Sequence, residues 1–520
     1  MAVVLATASA DDYQARWRFW LNDFSSEHLL WLIVATALYF RGYALGTLPG
    51  LIGDEAWYGV QAQRLLEGAD IGLRTPTGNV PGLIQMGSLV LLHSLFQPSA
   101  LLLRLPTFLS SLAAIAVCYS IGRRFFGPAA GMAALLLMAC LPVNIAYARL
   151  GWDPSHAPLL VLIATHAVLA GRRLLAALVF ALALSNHPAA VFTAPFLTLA
   201  FLGFDLASKG CAAFPRAIAF AAMLGLAILG SLIWSPNAGH YLHPSHIVGR
   251  LFHPVAWAEF ALGFGRLLSG DTIYIFIAGQ GLGAWQAAID VAFILAMVAL
   301  IAGGSVHVFR NRDWQFAGIL FGWLISLVLL FLIGGTDVVR PAFERFVVPM
   351  VPVTALTIAV LVERLSRDKM RKQVFHAALA AICVALLAGF WSHYLRPLER
   401  GENRPNPSLW VGLPQLNPIA ARHILADVRD HDALVIAEDW WSYWPIAYQL
   451  YGSPLRTMDA TWNNAPSPVA SQPGRTYWIS YRGSRLDRQL ERHSNFRLLR
   501  SIQSKDGENA LNIWGQGQPQ

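Results

Sequence analysis

"LLWLIVATALYFRGYALGTLPGLIGDEAWYG" (residues 29–59) joins an apolar run to two adjacent carboxylates, Asp54 and Glu55. The run from Leu29 to Leu45 makes up most of a membrane span. Ionisable groups at a membrane surface are costly and usually functional. Their local alternative is a helix start. Gly-Asp-Glu before "AWYGVQAQRLLEG" lets Asp54 bond a free amide and Glu55 face the positive end of the dipole. The two readings are compatible, because a carboxylate held at a helix end is also a positioned one.

The rest of the chain places this stretch in a membrane protein. Of 520 residues, 56% are hydrophobic and only 13% are charged, and mean hydropathy is +0.48. Many apolar runs at this composition mark a polytopic protein. The net charge of +8 fits basic residues collected on cytoplasmic loops. No single basic face suggests nucleic acid. Cys118, Cys140, Cys211 and Cys383 show no metal-type spacing, and no disulfide is expected. "MAVVLATASA" lacks the basic and apolar regions of a cleaved signal. Residues 1–27, with Arg16, Trp17, Arg18, Phe19 and Trp20, suit a cytoplasmic interfacial helix.

Apolarity predicts a mainly α fold of about eleven transmembrane helices, near 28–45, 100–121, 128–147, 156–171, 174–186, 188–205, 217–235, 285–305, 315–334, 343–362 and 374–394. The pairs Arg16/Arg18, Arg123/Arg124, Arg172/Arg173, Lys209/Arg216 and Arg310/Arg312, with the basic cluster 364–372, then share the cytoplasmic side. This holds if "GLIQMGSLVLLHSLF" (82–96) is an interfacial or re-entrant helix that does not cross. The transmembrane domain occupies 28–394, with outer loops 46–99 and 236–284. From 395 Pro and charged residues rise, and a small α/β domain (395–520) follows on the periplasmic side. "DALVIAED", "RTYWISYRG", "FRLLRSIQ" and "ALNIWGQ" read as strands and "SYWPIAYQLYG" as a helix.

Every outward turn before the tail offers polar groups. "IAYARLGWDPSHAP" brings Tyr147, Arg149 and Asp153, "LSNHPAAV" Asn186 and His187, and "GGTDVVRPAFERF" Asp337, Arg340, Glu344 and Arg345. "GHYLHPSHIVGRLFHP" brings His240, His243, His246, Arg250 and His253. The three histidines spaced by two fit neither a zinc helix nor a finger, so metal dependence stays open. Arg149, Arg250, Arg340 and Arg345 suit phosphate by bidentate bonding, or snorkel to headgroups.

"GDEAWYGVQAQRLLEG", "RLPTFLSSLAAIAVCYSIGRRFFG" and "AYARLGWDPS", in this order, resemble GT-C glycosyltransferases of the protein O-mannosyltransferase and lipid A aminoarabinose-transferase type (family 39-like), over roughly 28–365. The Glu-Arg-aromatic at 344–346 adds to the likeness. The resemblance implies a GT-C catalytic domain in the cell inner membrane that takes a sugar from a polyprenyl-phosphate donor to an envelope glycan (such as lipopolysaccharide), lipid or protein acceptor. It implies that Asp54 is the catalytic base, that Glu55 and Asp153 join it, and that Tyr58, Tyr147 and Glu344 line the pocket. Arg149, His187, His246, Arg250, Arg340 and Arg345 would face the donor phosphate. Members commonly carry Lys where "SNHP" stands here, so His187 departs from the pattern. No cofactor is required, and a divalent metal is compatible with the acidic groups and loop histidines.

A carboxylate within about 2.6–3.2 Å of an acceptor hydroxyl can take its proton, and cations stabilise the departing phosphate. A secondary transporter would instead show inverted repeats and charges at mid-membrane. A non-catalytic envelope assembly protein would use the acidic pair as a cap alone. The aromatics of "AEDWWSYWPIAYQLYG" read as domain core or docking surface, with stacking on a sugar acceptor as the alternative.

Overall fold

The computed structural model describes residues 26–72, 74–75, 79–235, 244–365, 369–401, 416–428, 433–460, 475–503 and 510–516. The interfacial helix expected within 1–27 falls almost wholly outside them, as do His240 and His243.

The chain is mainly helical, with a small mixed sheet near its end. Helices occupy each of the eleven expected segments, and among the described residues five are long and apolar enough to cross a bilayer: Ala100–Phe126, Pro188–Trp234, Gly283–Asn311, Trp314–Gly334 and Gln373–Arg400. A sixth is possible if Pro254–Ser269 and Asp271–Ala278, bent by 73°, count together. The other expected segments are apolar helices that fall short of that length. The physical reason is length. Pro128–Cys140 and Ala157–Leu169 have 13 residues each, about 20 Å of helix against a hydrocarbon core of about 30 Å. Proline makes these breaks. Pro142 starts a new turn after Cys140, and Pro154 opens the short turn Asp153–His156. The outer loop 236–284 is largely helical where described, with Pro244–Leu251 preceding the bent pair.

Apolar helices have little hydrophobic drive to pair in lipid, so small residues set their approach. Gly318 and Gly322 lie on one face of Trp314–Gly334, against Ala194–Lys209. A Cβ on Gly318 would meet the Leu199 carbonyl, and one on Gly203 would meet the Trp314 carbonyl. Backbone faces backbone there, with no side chain to yield. Gly318→Leu is therefore expected to lower the midpoint of thermal unfolding in detergent by several degrees, while Gly225→Leu, where a Cβ meets nothing, leaves it in place.

The sheet has the order β2-β1-β3-β5-β4, with β1 Ala433–Ala437, β2 Arg456–Asp459, β3 Arg475–Tyr481, β4 Phe496–Gln503 and β5 Ala510–Gln516. β1 is parallel to β2 and β3, while β5 is antiparallel to β3 and β4. All five residues of β1 are buried, as expected for a central strand covered on both faces. The strand "RTMD" escaped the sequence reading, being short, polar and half exposed. The helix Trp440–Leu450 follows β1 and packs on the helix Gly53–Leu66. The sheet domain is thereby fastened to the element that carries the acidic pair.

Candidate active site

The two carboxylates of the opening stretch have separate roles. Glu55 is fully buried. It accepts from Arg104 Nε (3.0 Å) and Arg104 Nη2, and from the amides of Gly151 (2.9 Å) and Ile52 (3.1 Å). Arg104, equally buried, spends its other N–H groups on the carbonyls of Leu45, Pro49 and Gly50. This network ties the loop after the first helix to the 149–152 turn. The Glu55 oxygens, expected to join the chemistry, accept from four donors here. The bond to the Ile52 amide also makes Glu55 the group that caps the helix.

Asp54 is left free of that duty. Its Oδ1 accepts from the Trp440 indole Nε1, 3.1 Å away. Burial raises its pKa above the usual carboxylate range, and the Arg345 charge and the indole oppose that rise. Asp153 stands nearby. Burial first, then the Asp54 charge, push its pKa to about 8. The Tyr58 hydroxyl bonds the Asp153 carboxyl and accepts from the Gly82 amide at 2.7 Å. Asn186 Nδ2 donates to the Asp153 carbonyl at 2.6 Å. A Cβ on Gly82 would strike Asp153 and the Asn186 carbonyl, so this turn closes only around glycine. The helix Leu83–Leu95 starts there. Its Gln85 donates to Leu103 and Gly151 carbonyls at 3.2 and 2.9 Å and meets His156 Nε2 at 2.8 Å.

Glu344 lies in a short turn before the helix Met350–Leu365. Burial pushes its pKa to about 8. Its two oxygens, the Tyr147 hydroxyl and the Thr272 hydroxyl are buried without a regular hydrogen bond among the described residues. The Thr272 hydroxyl and the amides of Ala342 and Glu344 nevertheless face the carboxyl. Tyr147 stacks on Trp152 at 6.2 Å. Buried polar groups without partners cost stability.

Arg345 is the cation shared by these groups. Its charge acts on Asp54, Asp153, Glu344 and Tyr147. Its guanidinium sits 5.4 Å from the Trp152 ring centre and 5.2 Å from that of Phe346. Arg149 is elsewhere engaged. Fully buried, it donates to the carbonyls of Phe40, Arg41, Tyr43 and Leu48 at 2.7–3.0 Å, so it closes the end of the helix Ser26–Gly42. Its Nη groups are thus taken by backbone carbonyls, while its buried Nε has no regular hydrogen bond among the described residues. His187 is buried beside Phe346. Burial, then the Arg345 charge, hold its pKa at about 3, so it is neutral and supplies no cation for a phosphate.

His246 and Arg250 line one cavity of about 390 Å³ with Gly249, His253 and Ala256. Arg250 Nη1 also donates to the carbonyls of Leu332 and Ile333 at 2.9 and 2.7 Å. Arg340 is exposed and paired with Asp337 in its own turn at 2.9 Å. Among the described residues, no three His, Cys, Asp or Glu side chains group closely enough to hold a metal. Arg104 was not singled out from the sequence, and Trp440 was weighed there only as core, docking or sugar-stacking, not as a partner of Asp54. Arg104 was legible as a lone cation inside an apolar span. Trp440, 386 residues from Asp54, was not.

The state of Asp153 has a testable consequence. With a pKa of about 8, its carboxyl is mostly protonated at neutral pH, where an amide imitates it. Asp153→Asn is expected to keep activity within about 10-fold at pH 7, whereas Asp153→Leu, which drops the Tyr58 partner, loses more. Initial rates in membranes decide it. Inactive Asp153→Asn would mean that the ionised carboxylate is required.

No protein-family model matches the chain, and no curated protein sequence does. Solved structures do. The oligosaccharyltransferase AglB from Archaeoglobus fulgidus, solved with an inhibitory peptide and a dolichol-phosphate, matches with 15% identity over 82% of this chain, at a TM-score of 0.43. The chain spans 64% of that protein's length. ArnT from Cupriavidus metallidurans bound to undecaprenyl phosphate matches with 13% identity over 95% of this chain and 100% of its own, at a TM-score of 0.44. Its apo structure matches at 0.40 with 14% identity.

Proposed function

We propose that the chain transfers a sugar from a polyprenyl-phosphate donor to an extracytoplasmic acceptor, a cell-envelope glycan, lipid or protein, at the outer face of the inner membrane. In this reading the N-terminus is cytoplasmic, and the sheet domain and the site lie on the periplasmic side. The observation that carries it is Asp54, a half-buried carboxylate that accepts from the Trp440 indole and is not tied down within its own helix, near buried polar side chains without regular hydrogen bonds among the described residues. A sugar's hydroxyls would satisfy those groups.

The acceptor hydroxyl gives its proton to Asp54 as its oxygen bonds the anomeric carbon. The bond from that carbon to the phosphate oxygen breaks, and the electron pair leaves with polyprenyl phosphate. Arg345 is the cation best placed to stabilise that charge, with His246 and Arg250 supporting the lipid-borne phosphate from their cavity. The prenyl chain would run between apolar helices. No step is routed through a metal.

The test uses membranes with the wild type and Asp54→Asn. Each receives a panel of undecaprenyl-phosphate sugars with envelope extract as acceptor, and release of undecaprenyl phosphate is followed by mass spectrometry. Release with one donor that the variant abolishes supports the reading. Equal release by both removes Asp54 as base.

A further inference from the structure

Through the helix Trp440–Leu450 the sheet domain reaches the acidic pair. Its start is rigid, since Asp439 Oδ1 accepts from the amides of Trp441 and Ser442 at 3.1 and 3.0 Å and from the Tyr481 hydroxyl at 3.0 Å. Along its length it is fastened to Gly53–Leu66 and its neighbours. Tyr448 packs on Gly59 and donates to the Ser99 carbonyl at 3.2 Å. Arg64 lies over Trp444 at 6.0 Å, and the Tyr451 hydroxyl donates to Glu67 at 2.6 Å. At the top of this contact the Trp440 indole meets Asp54.

Two separate observations single out that indole. One is the hydrogen bond to Asp54 Oδ1. The other is the absence of a side chain at Gly53. A Cβ there would lie 2.6 Å from Trp440 Cδ1, 2.8 Å from Nε1 and 2.9 Å from the Trp440 carbonyl. Ring and backbone both approach the residue before Asp54 closer than any side chain would allow. A docking aromatic needs no such fit, and tryptophan in this position presents its one donor.

We propose that Trp440 is a positioning residue for Asp54: its indole N–H fixes Oδ1 and leaves Oδ2 to take the acceptor proton, which makes the sheet domain part of the catalytic centre. This rests on the transferase reading above. It also assigns the docked aromatic helix a role beyond packing, because acceptors must approach Asp54 past a wall supplied by the sheet domain.

The expected effect follows from the bond's chemistry. An indole N–H stabilises the carboxylate over the acid, so its loss raises the pKa of Asp54. The base form then appears at higher pH, and the acidic limb of the rate profile moves up. For a charge-assisted bond the move is about one pH unit.

Two measurements on the full-length protein in detergent test this. The first is 15N-indole NMR of tryptophan-labelled protein. The Trp440 resonance is the one lost in Trp440→Phe. It should shift with pH in the wild type and stay fixed in Asp54→Asn. A resonance that does not titrate, or titrates equally in Asp54→Asn, overturns the proposal without any substrate. The second is the pH profile with the undecaprenyl-phosphate sugar that supports turnover. Trp440→Phe should lower kcat about 10-fold, shift the acidic limb up about one unit and leave the donor KM within about 2-fold. An unmoved limb with wild-type kcat reduces Trp440 to packing and overturns the proposal. If Trp440→Phe fails to fold, Gly53→Ala, which displaces the indole, carries the same readouts. Full activity of Asp54→Asn would instead remove Asp54 as the base, and no release by the wild type with any donor would sink the transferase reading, so the failures are distinguishable.

Discussion

Asp54→Asn is expected to lower sugar transfer by about 10²–10⁴-fold, the usual contribution of a positioned base, and to leave the protein at least as stable as the wild type. The first half follows from isostery. An asparagine fills the same space and keeps an oxygen for the Trp440 indole, but it takes no proton. The second half follows from the direction of the pKa shift. Burial raises the folded-state pKa of Asp54 above its ordinary value. The unfolded chain therefore loses its proton first as pH rises, and at neutral pH an ionised Asp54 costs the folded state free energy. An amide removes that cost. The paired outcome separates catalysis from capping. A cap lost would lower both stability and activity, whereas a base lost lowers activity alone. Thermal unfolding in detergent beside the transfer assay reads both, and a clear fall in midpoint would return Asp54 to a structural role. The pH dependence has the same origin. Activity should fall as pH drops through the raised pKa of Asp54, well before an unburied carboxylate would titrate.

What the sequence disclosed and what it hid follow a physical line. Local chemistry was legible. An acidic pair after an apolar run, Asp-Pro in the next turn and Glu-Arg-Phe further on all drew attention; the Arg345 charge acts on Asp54, Asp153 and Glu344, and the Asp54 charge acts on Asp153. Long-range pairing was not legible. Glu55 looks as able as Asp54 until Arg104 is seen against it, and Arg149 looks like a phosphate ligand until four carbonyls take its donors. In an apolar interior a buried arginine spends its five N–H groups on whatever oxygens lie near, and only the fold says which. Span length was hidden for a related reason. Hydropathy registers apolar helices, while proline breaks such as Pro142 and Pro154 shorten them within an unbroken apolar pattern. Trp440 was hidden because its partner comes from the opposite end of the chain.

Breaking the Glu55–Arg104 pair from one side should be the most destabilising single change around the site. Both side chains are fully buried, and an ion stranded there without its partner costs about 3–5 kcal/mol. Glu55→Gln keeps the shape but leaves Arg104 without its counter-charge, and Arg104→Met leaves Glu55 with only two backbone amides. Each is expected to lower the unfolding midpoint markedly and to reduce activity with it. The double variant Glu55→Gln with Arg104→Met should recover part of the loss, since removing both charges removes the stranded one. That pattern differs from Asp54→Asn, where stability is kept and activity is not. The contrast also bears on why two carboxylates sit side by side. The helix end offers one position that faces the interior and one that faces the pocket. Fixing Glu55 to Arg104 and to the Gly151 amide locks the helix in rotation, and that lock aims Asp54. If the double variant folded no better than the singles, the loss would come from the carbonyls of Leu45, Pro49 and Gly50 that Arg104 satisfies. The anchor would then be Arg104 itself rather than the charge pair.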